Sequence, residues 1–250
     1  MNNQYFKNSV DSDKLNNRLG YNKKTQKINF TNWLFTKFNL NTNLNQILDL
    51  GCGTGSQTDY FLRTLGNSCQ VLSIDASEES ISALPHHKNL DKYCVNFDDT
   101  EKLDQVLDGK KFDLINCTYA IYYSIDPIAL IKRLRENHLA ESGKIYIAGP
   151  TWPHELYTLI TNQFGEDTKV TKTINFMGTE LQLYLKNEVS MFETHQLNNV
   201  SEFEDFSELA SFVLNTTYGS NINKFDLVKF LGSHGQLQFK KTSVLSIFGN

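Results

Sequence analysis

Three glycines stand at alternate positions after a short apolar run, in residues 47–55, which read ILDLGCGTG. Because glycine has no Cβ, Gly51, Gly53 and Gly55 let the backbone take unusual torsions and approach a bound molecule closely. A helix that begins after such a loop points its N-terminus at the same place and favours an anionic group there. The stretch is therefore typical of a site for a nucleotide or a related cofactor.

The spacing of these glycines argues against two common phosphate loops. A dinucleotide fingerprint reads G-x-G-x-x-G, and Ser56 stands where its third glycine or an alanine is preferred. A P-loop needs a lysine after its last glycine, and none follows Gly55. A nicotinamide-dependent oxidoreductase remains an alternative, although the spacing weakens it.

Acidic residues near strand ends suggest what the loop faces instead. Asp49 lies inside an otherwise apolar strand, where a surface role would be hard to explain. Asp75 ends the next strand, and an acid there can accept both ribose hydroxyls of an adenosine. Asp98 or Asp99 could accept a hydrogen bond from the adenine amino group. The pattern fits an adenosine that lacks phosphates and carries a carboxylate, as S-adenosylmethionine does.

The elements that position these residues alternate strictly along the chain. Apolar strands read QILDL, QVLSID, KYCVNF (residues 92–97), FDLINC and KIYIA, with helical stretches between them. Near-continuous apolar strands separated by helices indicate a parallel sheet covered on both faces. We therefore predict a doubly wound α/β fold over residues 45–150, within a single domain of residues 1–250.

The pattern is looser beyond Pro150. Helices are predicted at residues 154–164, 206–214 and 224–231, and a terminal strand at 237–248, LQFKKTSVLSIF. Alternating stretches within residues 170–195 favour antiparallel strands. We expect residues 1–40 to cover the cofactor, and 151–235 to form the acceptor pocket or a lid.

Four stretches together resemble the sequential motifs of class I S-adenosylmethionine-dependent methyltransferases over about residues 25–150. They are LDLGCGTG, SIDAS, NFDDTEKL and FDLINCTYAIYY. The resemblance implies a Rossmann-like methyltransferase fold: a mostly parallel seven-stranded sheet whose last strand is antiparallel. It also implies S-adenosyl-L-methionine as the cofactor.

The resemblance assigns roles to the residues of the glycine loop and the second strand. Gly51 and Gly53 would lie under the amino-acid portion of the cofactor, with Cys52 between them. Asp49 would help to orient the cofactor, and Asp75 would bind its ribose.

It also assigns roles to residues further along the chain. Ala76 would pack on the adenine, and Asp99, with Asp98 as a close competitor, would be the acid on the adenine side. Asn116 and Cys117, which end the fourth strand, would line the floor near the sulfonium.

The sequence indicates the methyl acceptor less clearly than the methyl donor. Enzymes that methylate amines of nucleic-acid bases usually carry [N/D]-P-P-[Y/F] after the fourth strand, where this chain has NCTY at residues 116–119. The net charge of −4 gives no electrostatic support for a nucleic-acid partner. We therefore expect a small-molecule acceptor methylated at oxygen or nitrogen, although a protein substrate stays open.

Two residues are candidates for a catalytic role. Methyl transfer from a sulfonium is an in-line displacement that depends largely on proximity and orientation, so it needs a base only for some acceptors. The ring of Tyr119 could border the methyl group, and His154, after the fifth strand, is the best candidate base.

Composition excludes some other classes. The four cysteines are widely spaced without a CxxC pair, which makes a metal site improbable and reduced thiols in a cytoplasmic protein the expectation. Neither a signal-peptide core nor a bilayer-spanning run is present, so no membrane partner is expected. A non-catalytic partner subunit with the methyltransferase fold remains an alternative, and the oligomeric state is undetermined.

Overall fold

The computed structural model describes residues 12–40 and 44–250, so the first eleven residues of the expected covering segment lie outside the described part. The described residues form a seven-stranded sheet in the order β3-β2-β1-β4-β5-β7-β6. Its strands are β1 (Gln46–Leu50), β2 (Gln70–Asp75), β3 (Leu90–Cys94), β4 (Phe112–Thr118), β5 (Leu139–His154), β6 (Phe192–Glu202) and β7 (Gln238–Phe248).

Strands β1 to β5 pair in parallel, and β7 runs antiparallel between β5 and β6. The predicted doubly wound sheet with an antiparallel last strand is confirmed. The predicted third strand is shifted, because β3 ends at Cys94 and residues 95–97 lie beyond its tip.

Helices cover both faces of the sheet. They are α1 (Ser12–Thr25), α2 (Phe30–Phe35), α3 (Ser56–Leu65), α4 (Glu78–Ala83), α5 (Thr100–Leu107), α6 (Pro127–Arg133), α7 (Glu155–Phe164), α8 (Thr168–Asn175), α9 (Leu181–Glu188), α10 (Phe206–Leu214) and α11 (Lys224–His234). None of these described helices is long and apolar enough to cross a membrane.

Successive side chains of β1 enter different cores because neighbouring residues of a strand point to opposite faces. Ile47 packs with Phe61 of α3 on one face, and Leu48 packs with Leu103 of α5 on the other. Asp49 is the only acid of this strand, and its exposed fraction is 1%. Two apolar cores therefore enclose a buried carboxylate directly before the glycine loop.

The prediction of strands over residues 170–195 is wrong for most of that region. Residues 168–188 are helical, in α8, a π-helical turn at Phe176–Glu180, and α9; only β6 is extended. Val170, Ile174, Met177, Leu181 and Leu185 are buried at spacings of three and four, which suits one helical face. Short alternating stretches such as TINFM do not distinguish the two periodicities.

A third apolar cluster lies under the second half of the chain. It joins Leu156 and Ile160 of α7 to Leu209 and Val213 of α10, and it also includes residues of α11 and Phe239 of β7. Helix α1 lies against α10, where Lys24 Nζ is 2.7 Å from Glu208 Oε1. These helices, with α1 and α8, form a cover beside the carboxyl ends of the parallel strands.

Candidate active site

A cavity of about 490 Å³ lies between the sheet and this cover. Its loop end is lined by Gly51, Cys52, Gly53, Asp75 and Ala76, and its far end by Tyr119, His154, Tyr218, Lys241 and Ser243. Strands β2 and β7 are four positions apart in the sheet, which is about 19 Å at 4.8 Å per strand. The cavity therefore extends from the glycine loop to β7 across the middle of the sheet.

The glycine loop needs its glycines for conformation and for space. Gly51 and Gly53 have φ angles of 70° and 51°, which side-chain-bearing residues rarely adopt. A Cβ on Gly51 would overlap the Cβ of Ala120, the second residue after β4. A Cβ on Gly53 would lie 3.6 Å from the Leu15 side chain of α1. The loop is thus pressed against the β4 tip and covered by α1.

Asp75 holds the glycine loop and faces the cavity. Its Oδ2 accepts a hydrogen bond of 2.8 Å from the Gly53 amide, and its Oδ1 accepts one of 2.9 Å from the Ser77 amide. Burial raises the pKa of the Asp75 carboxyl, although these backbone donors oppose that effect. Each carboxylate oxygen keeps capacity for a further donor from the cavity side.

Asp49 lies beneath the loop, outside the cavity lining. Its carboxylate accepts hydrogen bonds from Thr58 Oγ1 at 2.6 Å and from Asn116 Nδ2 at 2.8 Å. Because the Thr58 proton points to Asp49, Ser73 Oγ donates to Thr58 Oγ1 at 2.8 Å. Burial raises the pKa of Asp49 to about 6. The network joins β1, β2, β4 and the first turn of α3.

The two acids predicted beside the adenine are engaged elsewhere. Asp98 accepts hydrogen bonds from Ser124 Oγ and the Ile125 amide. Asp99 caps α5 and pairs with Lys102 at 2.8 Å, which lowers the pKa of Asp99. Neither lines the cavity, whereas Asn96 and Phe97 do.

The far end of the cavity is built around Tyr119. Its hydroxyl shares a hydrogen bond of 2.7 Å with Ser243 of β7, and burial raises its pKa to about 12. The ring meets Phe30 edge-on, with centroids 5.2 Å apart, and Lys241 Nζ is 5.8 Å from the ring centroid. Tyr119 therefore keeps its proton at neutral pH and presents its ring as a wall.

His154 lies at the N-terminus of α7 with an exposed fraction of 9%. Its Nδ1 accepts a hydrogen bond of 3.4 Å from the Tyr157 amide, which leaves the proton of the neutral ring on Nε2. Burial, followed by the charge of Lys241, lowers its pKa to about 3. The neutral ring is a hydrogen-bond donor at Nε2, so its surroundings disfavour a role as a base.

The remaining predicted site residues are buried. Asn116 donates to Asp49 and accepts from Thr118 Oγ1, and Cys117 packs in the core, away from the cavity lining. Cys52 does line the cavity. Burial raises the pKa of both thiols, so each stays protonated.

Comparisons with known proteins agree with this geometry. Residues 48–145, from within β1 to within β5, match a family model described as a methyltransferase domain. A candidate methyltransferase from Bacillus halodurans has the same fold, with a TM-score of 0.58 and 13% identity, over 87% of this chain and 97% of its own. Residues 48–145 therefore match a methyltransferase domain, and the chain has the Rossmann-like fold of S-adenosylmethionine-dependent methyltransferases.

Two further solved structures resemble this methyltransferase. The YcgJ protein from Bacillus subtilis has a TM-score of 0.56 and 12% identity, over 88% of this chain and 97% of its own. The plantazolicin methyltransferase BpumL, solved with S-adenosylhomocysteine and a desmethylPZN analogue, has a TM-score of 0.47 and 16% identity. That match covers 98% of this chain and 85% of BpumL. No curated protein sequence matches the chain.

The loop end of this methyltransferase fits the donor cofactor chemically. One cavity is lined by the glycine loop, which has no Cβ atoms at Gly51 and Gly53, and by the carboxylate of Asp75. Ala76 and Phe97 add apolar surface to the same lining. Sequence reasoning missed Asn96 and Phe97 because it placed both inside the third strand. It also missed Lys241, for which the lysine pair in an otherwise apolar terminal strand was the available signal.

Proposed function

We propose that this methyltransferase moves a methyl group to an oxygen or nitrogen atom of a small molecule bound at the far end of the cavity. The continuity of the cavity carries the proposal, since one space touches both the glycine loop and Tyr119. A donor at the loop end and an acceptor at the far end could meet in line, which is the main requirement of this reaction.

The loop end is proposed to bind the cofactor, which supplies an electrophilic methyl group when bound. Asp75 accepts the ribose hydroxyls with the capacity that its backbone partners leave free. Ala76 and Phe97 pack against the adenine, and Asn96 offers its amide to the polar edge of that ring. In this proposal Asn96, rather than Asp98 or Asp99, is the polar group beside the adenine.

Gly51, Cys52 and Gly53 are proposed to contact the amino-acid portion of the cofactor, because all three line the cavity beside Asp75. Asp49 and Asn116 act one layer below. Their 2.8 Å hydrogen bond joins the end of β1 to β4. It thereby holds the glycine loop in a fixed position relative to the end of β4. Cys117 contributes packing to that floor.

The acceptor is proposed to be oriented rather than deprotonated by the protein. The Tyr119 hydroxyl keeps its proton, and His154 is a neutral donor at Nε2. The only carboxylate in the described lining of the cavity is Asp75, at the loop end. An acceptor atom that already holds a free lone pair, such as a carboxylate or phenolate oxygen or a neutral amine, suits this environment.

Calorimetry with S-adenosylhomocysteine and NAD tests the cofactor half of the proposal. We expect the first to bind and NAD not to bind. Asp75→Asn should weaken the first by about tenfold, because a hydrogen bond to a charged acceptor contributes about 1.5–3 kcal/mol. Asp99→Asn is the matched control, since asparagine also caps helices and Asp99 lies outside the cavity lining.

Failure of S-adenosylhomocysteine to bind, or equal losses in the two variants, would contradict the proposed site. Turnover is measured as release of S-adenosylhomocysteine in a screen of small carboxylates, phenols and amines. If the protein is a non-catalytic partner subunit, it should bind the cofactor but methylate none of the screened carboxylates, phenols and amines.

A further inference from the structure

The charges around the cavity are unevenly distributed. The described lining contains Arg18, Lys23, Lys240 and Lys241, but its one carboxylate belongs to Asp75 at the loop end. Among the described residues, the lining of the far end thus gathers positive charge without a carboxylate to neutralise it. The chain as a whole carries a net charge of −4, so this excess is local.

Lys241 is the most informative of these cations. It lies on β7, is partly buried and lines the cavity. Its ammonium group is 5.8 Å from the Tyr119 ring centroid, and no carboxylate pairs with it among the described residues. Burial, and then the charge of Arg18, lowers the pKa of Lys241 to about 8. A poorly solvated cation without a counter-ion is costly for a fold to keep.

Arg18 brings a second cation to the same place from α1. Its Nη1 donates a hydrogen bond of 3.2 Å to the Asn215 carbonyl oxygen, which anchors the side chain at the end of α10. A guanidinium has five N–H donors, so the Asn215 contact leaves donors for another partner. Two cations from separate elements therefore converge on one wall.

The neighbouring groups do not supply the missing anion. His154 has a lowered pKa and stays neutral, and burial raises the pKa of Tyr119 and of Tyr218, so both keep their protons. The Glu155 carboxylate accepts a 2.7 Å hydrogen bond from the Lys240 amide and does not line this cavity. The described titratable groups that line the far end of the cavity are thus neutral or positive.

We propose that the methyl acceptor is a carboxylate-bearing small molecule whose carboxylate pairs with Lys241 and Arg18 at the far end of the cavity. The inference rests on the proposed function, because it places an acceptor beside the cofactor. Paired with a carboxylate, the two cations gain the counter-charge that the described lining of the far end does not supply. The rings of Tyr119 and Tyr218 give that molecule flat apolar walls.

Benzoate and its neutral isostere benzamide serve as probes, because they differ only in charge and hydrogen bonding at one group. Calorimetry is performed on protein saturated with S-adenosylhomocysteine. We expect benzoate to bind about tenfold more tightly than benzamide, and Lys241→Met to remove that preference. Lys144→Met, an exposed strand lysine outside the cavity lining, should leave the preference unchanged. Equal binding of the two probes would overturn the inference.

The cofactor has a carboxylate of its own, so a second comparison identifies which carboxylate Lys241 meets. S-adenosylhomocysteine carries that group and 5′-methylthioadenosine lacks it. We expect Lys241→Met to bind both as the unmodified protein does, which also shows that the variant is folded. A loss confined to S-adenosylhomocysteine would assign Lys241 to the cofactor and overturn the inference. Absence of S-adenosylhomocysteine binding in the unmodified protein would instead refute the proposed function.

The pH dependence gives an independent check. Lys241 must be protonated to bind benzoate, so affinity should be full at pH 7 and fall as the pH rises above about 8. Tyr119, His154 and Arg18 lie near Lys241 on other elements, and Tyr218 lines the same cavity. Lys241→Arg should keep the affinity and move its loss beyond the measured range, because arginine stays protonated. A profile identical in the two proteins would contradict the inference.

Discussion

Asp49 shows how one residue serves a site that it does not touch. Its carboxylate is buried, but Thr58 and Asn116 donate to it, and those partners belong to the helix and the strand that frame the glycine loop. A neutral side chain would not hold both donors equally well, since each donates to a separate carboxylate oxygen. Asp49 therefore holds the geometry of the glycine loop, at the free-energy cost of burying its carboxylate.

Asp49 should make the stability of the protein depend on pH. Its folded pKa of about 6 lies above its ordinary value of 3.8, so the folded state binds more protons between these values. Stability from this group therefore falls as the pH rises from about 4 to 6, by about 3 kcal/mol in total, and is constant above. The free energy of unfolding in urea should be measured for Asp49→Asn and for the unmodified protein between pH 4 and 7.5. The value for Asp49→Asn minus that for the unmodified protein should rise by about 3 kcal/mol as the pH rises through this range. A difference that does not change with pH would place the pKa of Asp49 near its ordinary value.

His154 should not titrate in the physiological range. Its ring is uncharged because burial, followed by the charge of Lys241, lowers its pKa to about 3. The imidazole resonances of His154 should stay constant between pH 5 and 8, and an NMR titration with His154→Asn identifies them. A midpoint near 6.5 for His154 would restore it as a candidate base.

Helix α1 is the element whose stability depends most directly on what the cavity contains. Its sequence is polar, and few of its side chains are well buried. Five of its residues line the cavity: Leu15, Arg18, Leu19, Asn22 and Lys23. Lys24 is exposed, so its ion pairs with Glu204, which precedes α10, and with Glu208 of α10 contribute little.

Hydrogen exchange should therefore show α1 becoming ordered by the cofactor. We expect S-adenosylhomocysteine to slow amide exchange in residues 12–25 substantially more than in α11, which is also a surface helix but does not line the cavity. Equal slowing in the two helices would indicate a global stabilisation, and α1 would then not be a cover.

Elements near the glycine loop could be predicted because local chemistry and tertiary packing agree there. The run QILDL before the glycines, and Asp126 followed by Pro127 at the start of α6, each identify one conformation. Residues 168–188 could not be predicted, since short runs fit either period and packing decides between them. The predicted third strand extended to residue 97, whereas β3 ends at Cys94. Asn96 and Phe97 were therefore placed within a strand, although they line the cavity.

The constellation at the far end of the cavity is a property of the whole molecule. Tyr119, His154, Lys241 and Arg18 come from four separate parts of the chain, and only the completed sheet and cover bring them together. The sequence named Tyr119 and His154 from their positions after strands. It had no local pattern that could reveal an unpaired lysine, because the absence of a partner depends on every neighbouring element.

The prediction of one domain over residues 1–250 can be tested with the two tryptophans of the chain. Trp33 packs against the core beneath α3, and Trp152 donates a 2.8 Å hydrogen bond to Asn175 in the second half. In Trp152→Phe fluorescence reports the first half, and in Trp33→Phe it reports the second. Because β5 and β7 join the halves through a long antiparallel ladder, we expect coincident urea midpoints.

The cofactor extends this test to the ligand-bound molecule. S-adenosylhomocysteine at about 100 times its dissociation constant should stabilise a single folding unit by about 2.7 kcal/mol, whichever tryptophan reports. Its contacts at the loop end would then raise the midpoint seen by Trp152, which lies outside the described lining of the cavity. If only Trp33 reported the shift, the cover would be a separate folding unit, and the acceptor end would have to assemble on the cofactor half by docking.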